Sequence, residues 1–235
     1  MALKSTKGRY IAEAIGTFIL VFVSIGAVII NVVLEGHLGV MGISLAAGLA
    51  VLVVCYSLGH VSGAHINPAV TIAFASQKRF PLSWVLPYII SQIMGALAAC
   101  IFLYILFGNI ANFGFTYPLY PWPMVFLIEF VITFILMLVI MGVATDPRAA
   151  DPSAAGLPIG LTVMLNTMLA LIFTGAMMNP ARVIALGIVS GEFGVLWVYL
   201  ASTVLGAIFG AWVYERIRGA EAPKFEEFGL LGPIE

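Results

Sequence analysis

The chain has 235 residues, 62% of them hydrophobic and only 9% charged, with a formal net charge of −1 and a mean hydropathy of +1.12. A soluble domain averages about 25% charged residues, so this chain lacks the polar side chains to cover a water-facing surface. No basic patch suggests nucleic acid, and the stretch from Arg79 to Glu129 has no charged side chain between its ends, which reads as passage through lipid.

In chain order, MALKSTKGRYIAEAIGTFILVFV has a basic lead and a long apolar run containing Glu13. That length fits a retained transmembrane helix better than a cleaved signal peptide. Apolar windows of about 20 residues fall at 10–33, 38–59, 84–107, 122–144, 156–173 and 195–214, predicting six spanning helices. Two shorter apolar segments, 67–77 and 179–190, each open on Asn-Pro-Ala. They are too short to span the bilayer and too apolar for water, so they read as re-entrant half-helices. Cys55 and Cys100 fall inside apolar segments, form no metal or redox motif, and read as small buried hydrophobes that need not face any pore.

Basic residues set the orientation. Lys4, Lys7 and Arg9 precede helix 1, Lys78 and Arg79 lie between helices 2 and 3, Arg148 between 4 and 5, and Arg216, Arg218 and Lys224 follow helix 6. The connections 34–37 and 108–121 carry none, so both termini are expected in the cytoplasm, with Arg182 alone on the opposite side.

The chain is also a repeat. EAIGTFILVFVSIG (13–26) aligns with EFVITFILMLVIMG (129–142), Asn-Pro-Ala at 67 recurs at 179, and YIISQIMGAL (88–97) recurs as YLASTVLGAI (199–208). With three helices per half, the second half must run inverted, and such repeats put their site near the midplane between broken helices. The predicted architecture is therefore an all-α membrane protein of six transmembrane helices plus two re-entrant half-helices in an inverted 3+3 repeat. It forms one channel domain over 1–235, with repeat 1 at about 9–108, repeat 2 at about 122–217, and 218–235 a short cytoplasmic tail.

Asn before Pro is a helix start, since Asn caps and Pro suits the first helical position. Two inverted copies, Asn67-Pro68-Ala69 and Asn179-Pro180-Ala181, bring two helix N-termini together near the midplane, each with about half a positive charge. With each side-chain oxygen used in capping, both amide groups should point into the space between. The loops before them, Gly63, Ala64 and His65 and then Gly175, Ala176 and Met177, would offer a ladder of carbonyl acceptors, tolerated at this depth only along a wet cavity.

GHVSGAHINPAV (59–70) and TGAMMNPARV (174–183) resemble the two signature loops of the aquaporin and glycerol-facilitator family, also called the major intrinsic proteins. The resemblance covers residues 9 to about 217 and includes Glu13 and Glu129. It implies a homotetramer in membrane lipid with one pore per subunit, passing water and small neutral solutes, and Arg182 at the constriction. Pores of this kind exclude protons and cations by an arginine and by half-helix dipoles. Counted by the family's spacing, the selectivity filter falls on Ala47, Thr167, Ala176 and Arg182, a wide ring with Thr167 opposite the guanidinium. By the same resemblance Glu13 and Glu129 hold the loops through backbone N–H bonds, His65 lines the pore, and His60 buttresses the loop.

No nucleophile–base pair, phosphate loop, metal cluster or cofactor motif is present, so no enzyme is expected. The predicted function is a passive channel for water and small uncharged solutes such as glycerol, urea or neutral metalloid hydroxides, in a prokaryotic cell membrane. One alternative is a water-selective pore narrowed by Phe173 or Met177. An alternative of another class is a proton-coupled secondary transporter using Glu13 or Glu129, since intramembrane carboxylates commonly serve proton relays.

Overall fold

A computed structural model describes residues 6–108, 110, 120–146, 148 and 154–219. Its helices are α1 (Thr6–Val33), α2 (Gly39–Ser62), α3 (Pro68–Ser76), α4 (Leu82–Phe107), α5 (Trp122–Thr145), α6 (Gly156–Thr174), α7 (Pro180–Ser190) and α8 (Leu196–Ile217). The six longer helices are long and apolar enough to cross a membrane. At 1.5 Å per residue, α3 and α7 reach only about 14 and 17 Å, roughly half of the hydrocarbon core. Most of the connection 108–121 and of the tail 218–235 lies outside the described residues.

The helix pairs obey the internal repeat. α1 packs along α4 and α5 along α8, α1 meets α2 as α5 meets α6, and each half-helix docks on the other half of the chain, α3 on α8 and α7 on α4. Glycines set the close approaches. A Cβ on Gly95 would fall 2.0 Å from the Ala14 carbonyl oxygen, and one on Gly206 2.4 Å from that of Phe130, the same contact in each half. Gly210 is nearly as tight against the Phe134 carbonyl oxygen, at 2.6 Å, whereas Gly156 abuts Cys55 and Tyr56. Small residues let membrane helices approach this closely where lipid offers no hydrophobic drive to pack.

Buried polar side chains point inward around the two loops, among them Glu13, Thr17, Gln92, Glu129, Thr133 and Asn166. Large apolar side chains such as Leu49, Leu86, Ile105 and Leu169 are exposed on the periphery, as acyl chains require.

Candidate functional site

Each Asn-Pro-Ala turn starts its half-helix by a side-chain cap. The Ala69 N–H donates to Asn67 Oδ1 and the Ala181 N–H to Asn179 Oδ1, both at 2.9 Å, with Pro68 and Pro180 at the first helical position. The amides then tie the two turns together. Asn67 Nδ2 donates to the Met178 carbonyl and Asn179 Nδ2 to the Ile66 carbonyl, each at 2.8 Å. This corrects the expectation that both amide groups point wholly into the pore, because one N–H of each is spent on the opposite loop. That leaves one N–H of each asparagine beyond this pairing.

The preceding loops share a strained backbone. Gly63, Ala64 and Ile66 have φ of 89°, 46° and 43°, and Gly175, Ala176 and Met178 have 79°, 48° and 51°. Non-glycine residues in the left-handed region cost about 1–3 kcal/mol each and persist only where surroundings over-determine them. Two buried carboxylates supply that constraint. Glu13 Oε1 accepts from the Ser62 hydroxyl (2.6 Å) and the His65 N–H (2.9 Å), and Oε2 from the Ile66 N–H (2.6 Å) and Gln92 Nε2 (2.8 Å). Glu129 Oε1 accepts from the Thr174 hydroxyl (2.6 Å) and the Met177 N–H (2.9 Å), and Oε2 from the Met178 N–H (2.9 Å). Tyr88 and Tyr199 finish the pattern, donating to the Ser62 and Thr174 carbonyls.

The first loop has extra support. Gln92 Nε2 also donates to Thr71 Oγ1 (3.0 Å), which lies 3.1 Å from His65 Nδ1, and the His65 ring sits among Phe74, Phe80 and Tyr88. Met177, Val183 and Thr203 occupy the corresponding places in the second half, so this network has no counterpart there. His60 is exposed at the end of α2 rather than buttressing the loop, which corrects its expected role.

Two cavities run along the interior and meet at Met177 and Arg182, the two residues that line both. The first, about 90 Å³, extends from Asn67 and Asn179 past Gly63, Ala64 and His65 to Arg79 and Thr145. The second, about 410 Å³, opens beyond Arg182 and is lined by Ala47, Thr167 and Gly175 together with Ser24, Ile43 and Phe173. Ala176 lines neither; its carbonyl (3.0 Å) and that of Met177 (2.9 Å) accept from one terminal nitrogen of Arg182. Two of the expected ladder oxygens are therefore occupied by the arginine. Phe173 packs on Tyr120 in the wider cavity, which leaves Met177 as the side chain at the junction.

The walls repeat with the chain. Leu20 and Leu136, Val51 and Val163, and Asn67 and Asn179 line matching places, as do Val28 and Ala144 at the two ends. Cys55 matches Thr167 and lines the first cavity, so of the two cysteines read as small buried hydrophobes that need not face a pore, this one does border the interior space. Cys100 does fit that reading, fully buried in the apolar cluster that also holds Ala96, Leu103 and Tyr199.

The Arg79 end carries a charged cluster that sequence reading took only as an orientation signal. Arg79 pairs with Glu215 and donates to the Thr145 carbonyl (3.3 Å), and Arg218 reaches Glu215 at 3.4 Å. Beside them Asp146 accepts from Arg148 Nε (2.9 Å) and Nη2 (2.7 Å), the Arg148 N–H (3.0 Å) and the Tyr214 hydroxyl (2.7 Å). The Arg148 bonds hold the Asp146 carboxyl far below the usual carboxylate range, and the same pairing raises Arg148. Among the described residues no three His, Cys, Asp or Glu side chains are grouped to hold a metal.

Comparison with known proteins agrees with this geometry. The family model described as "Major intrinsic protein" matches residues 2–214. Nodulin-26 of Glycine max is 43% identical over 219 residues, covering 93% of this chain and 80% of that protein. Aquaporin NIP1-1 of Arabidopsis thaliana is 44% identical over 223 residues, covering 92% and 75%. The solved aquaglyceroporin of Plasmodium falciparum superposes with a TM-score of 0.80 at 26% identity, over 91% of this chain and 97% of that one. These relatives are channels and not enzymes, in line with the sequence. These relatives by sequence are plant proteins, so the expected prokaryotic membrane is not borne out.

Proposed function

The chain belongs to the major intrinsic protein family, and on that premise we propose that it conducts water and small uncharged solutes passively, with glycerol, urea or neutral metalloid hydroxides as the solute class. The observation that carries this reading is the meeting of two capped half-helices, Asn67 against Asn179, beside the buried guanidinium of Arg182. Two helix N-termini contribute about half a positive charge each, and Arg182 adds a full one. A cation there meets repulsion on top of a desolvation cost of several kcal/mol, whereas a neutral molecule meets amide and guanidinium donors. Ala47, Thr167 and Arg182 border a chamber of about 410 Å³ with no aromatic at those three positions, which favours solutes larger than water.

The proton-coupled alternative is disfavoured because Glu13 and Glu129 line neither cavity and spend their oxygens on loop donors. The water-selective alternative has one observation in its favour, the Met177 side chain at the junction. In the proposed setting the protein is a homotetramer in lipid, with both termini cytoplasmic and Arg182 toward the outer face. Cysteines placed at Lys7 and His37, at opposite ends of α1, should then be labelled from opposite sides.

The deciding experiment is stopped-flow light scattering on proteoliposomes, comparing water, glycerol and urea. Glycerol or urea crossing clearly faster than in protein-free vesicles supports the wide channel. Water flux with no larger solute moves the assignment to a water-selective pore, and solute-driven proton movement moves it to a coupled transporter.

A further inference from the structure

We propose that Ser24 on α1 is a solute-binding residue of the chamber beyond Arg182. There its hydroxyl, the Thr167 hydroxyl and the Arg182 Nε–H form a three-point site for a small uncharged solute bearing several hydroxyls. The proposal rests on the channel reading above and adds to the filter a residue from a fourth element.

The first observation is an unused hydroxyl. A buried serine or threonine in a helix commonly donates to the carbonyl four residues back. Thr17, Thr133, Thr162 and Thr203 do so here, at 2.6–2.8 Å. Ser24 and Thr167 are 2% and 3% exposed, yet neither hydroxyl has a hydrogen-bond partner in the protein, and Arg182 Nε has none either. All three residues line the same chamber. Buried polar groups left unbonded are costly, so three of them on residues that line one chamber mark a place where something else supplies the partners.

The second observation is depth. Ser24 lies nine residues from the end of α1 at Val33, Ala47 eight from the start of α2 at Gly39, and Thr167 seven from the end of α6 at Thr174. At 1.5 Å per residue these depths agree within about one helical turn. Ser24 therefore lies well within its helix, as Ala47 and Thr167 do within theirs, and not at its end.

The third comes from the repeat. The counterparts of Ser24, Thr167 and Arg182 in the other half are Ile140, Cys55 and Val70, and all three line the other cavity. The fold thus accepts an apolar side chain or a thiol at each of these places, so packing does not demand the polar groups at the Arg182 end. Two hydroxyls that each donate and accept, beside one N–H donor and no carboxylate, match a neutral hydroxylated solute.

The test is glycerol flux against concentration in proteoliposomes, with water flux as the measure of folding. The variants are Ser24→Ala, Ser24→Ile and, as control, Ser44→Ala, a buried and equally unbonded serine that lines neither cavity. Losing one neutral hydrogen bond should raise the half-saturating glycerol concentration about fivefold in Ser24→Ala, while water flux and Ser44→Ala stay at wild type. Wild-type half-saturation in Ser24→Ala, or the same change in Ser44→Ala, overturns the proposal. If wild type conducts water but no glycerol, the wide-channel reading fails by itself. Glycerol added on both sides must then still slow water flux, and slow it less in Ser24→Ala, for the site to stand.

Discussion

Gly48 and Gly160 face each other across the centre of the repeat, each with its hydrogen against the other's carbonyl. A Cβ on Gly48 would lie 2.6 Å from the Gly160 oxygen, and one on Gly160 2.7 Å from the Gly48 oxygen. The separation between these glycines equals that between Asn67 and Asn179, so one pseudo-twofold axis relates both the α2–α6 crossing and the two turns.

Gly48→Ala and Gly160→Ala should therefore each destabilise the fold by about 1–3 kcal/mol, the usual cost of overpacking. A lowered thermal midpoint in detergent, with reduced yield, is the measurement. Gly59→Ala in the same helix is the control, because nothing lies within 4 Å of its added Cβ. It should be neutral or slightly stabilising, as alanine is the better helix former.

The two loop carboxylates should differ in their tolerance of Gln. In Glu13 both oxygens accept two donors, so an amide nitrogen at either position loses two bonds and faces donors. In Glu129 the nitrogen can take the place of Oε2, which has a single donor, the Met178 N–H. Each hydrogen bond left unmade costs about 1–3 kcal/mol. Glu13→Gln should lower the thermal midpoint and water flux more than Glu129→Gln, and equal losses would count against this accounting.

Much of this was legible in the sequence because it is local or repeated. The caps at Asn67 and Asn179 need only the next two residues, and the long apolar runs match the spanning helices to within a few residues at most ends. The helices extend past the hydrophobic windows at α1 and α8, where Arg9 and Glu215 are accommodated by the fold: Arg9 lies over the Trp84 ring and Glu215 pairs with Arg79. The amide bonds between the two turns join residues more than a hundred apart, and no local pattern encodes them. The pore-facing side of α2 was hidden because that helix is apolar all round. The repeat held the missing signal, since Cys55 stands at the place of Thr167 and Ser24 at that of Ile140.

The Asp146 cluster gives a pH dependence with a definite sign. The Arg148 bonds hold the folded carboxyl below its unfolded value, near 3.9. The stabilisation is thus fully present above that value and is lost as pH falls toward the folded one. Asp146→Asn should lower the thermal midpoint by a few degrees at neutral pH. The difference from wild type should hold down to about pH 5 and shrink below about pH 4. A difference that grows on acidification would refute the assignment.

Arg182 is held by the Ala176 and Met177 carbonyls at the junction of the two cavities. Arg182→Val removes the fixed charge and puts there the residue found at the matching position 70. Neutral flux should persist while proton or cation conductance rises measurably in voltage-clamped membranes. Unchanged conductance, both alone and combined with Asn179→Asp, would mean that the half-helices and desolvation suffice for exclusion.

Cys55 changes the expectation for thiol reagents. The sequence alone requires neither cysteine to face a pore, which would leave wild-type flux indifferent to mercurials. Cys55 instead lines the cavity of about 90 Å³ on the Arg79 side, as Val51 and Ile159 do. A mercury atom bound there with its second ligand would occupy space in that cavity. Cys100 is fully buried and lines neither cavity, so it is shielded from the reagent. Mercuric chloride should therefore inhibit wild-type water flux, and a thiol reductant should reverse the block. Cys55→Ala should be resistant with near-normal flux, and Cys100→Ala should remain sensitive. Resistance of the wild type would show that the reagent does not reach this wall, and loss of inhibition in Cys100→Ala alone would move the reactive site to the α4 side.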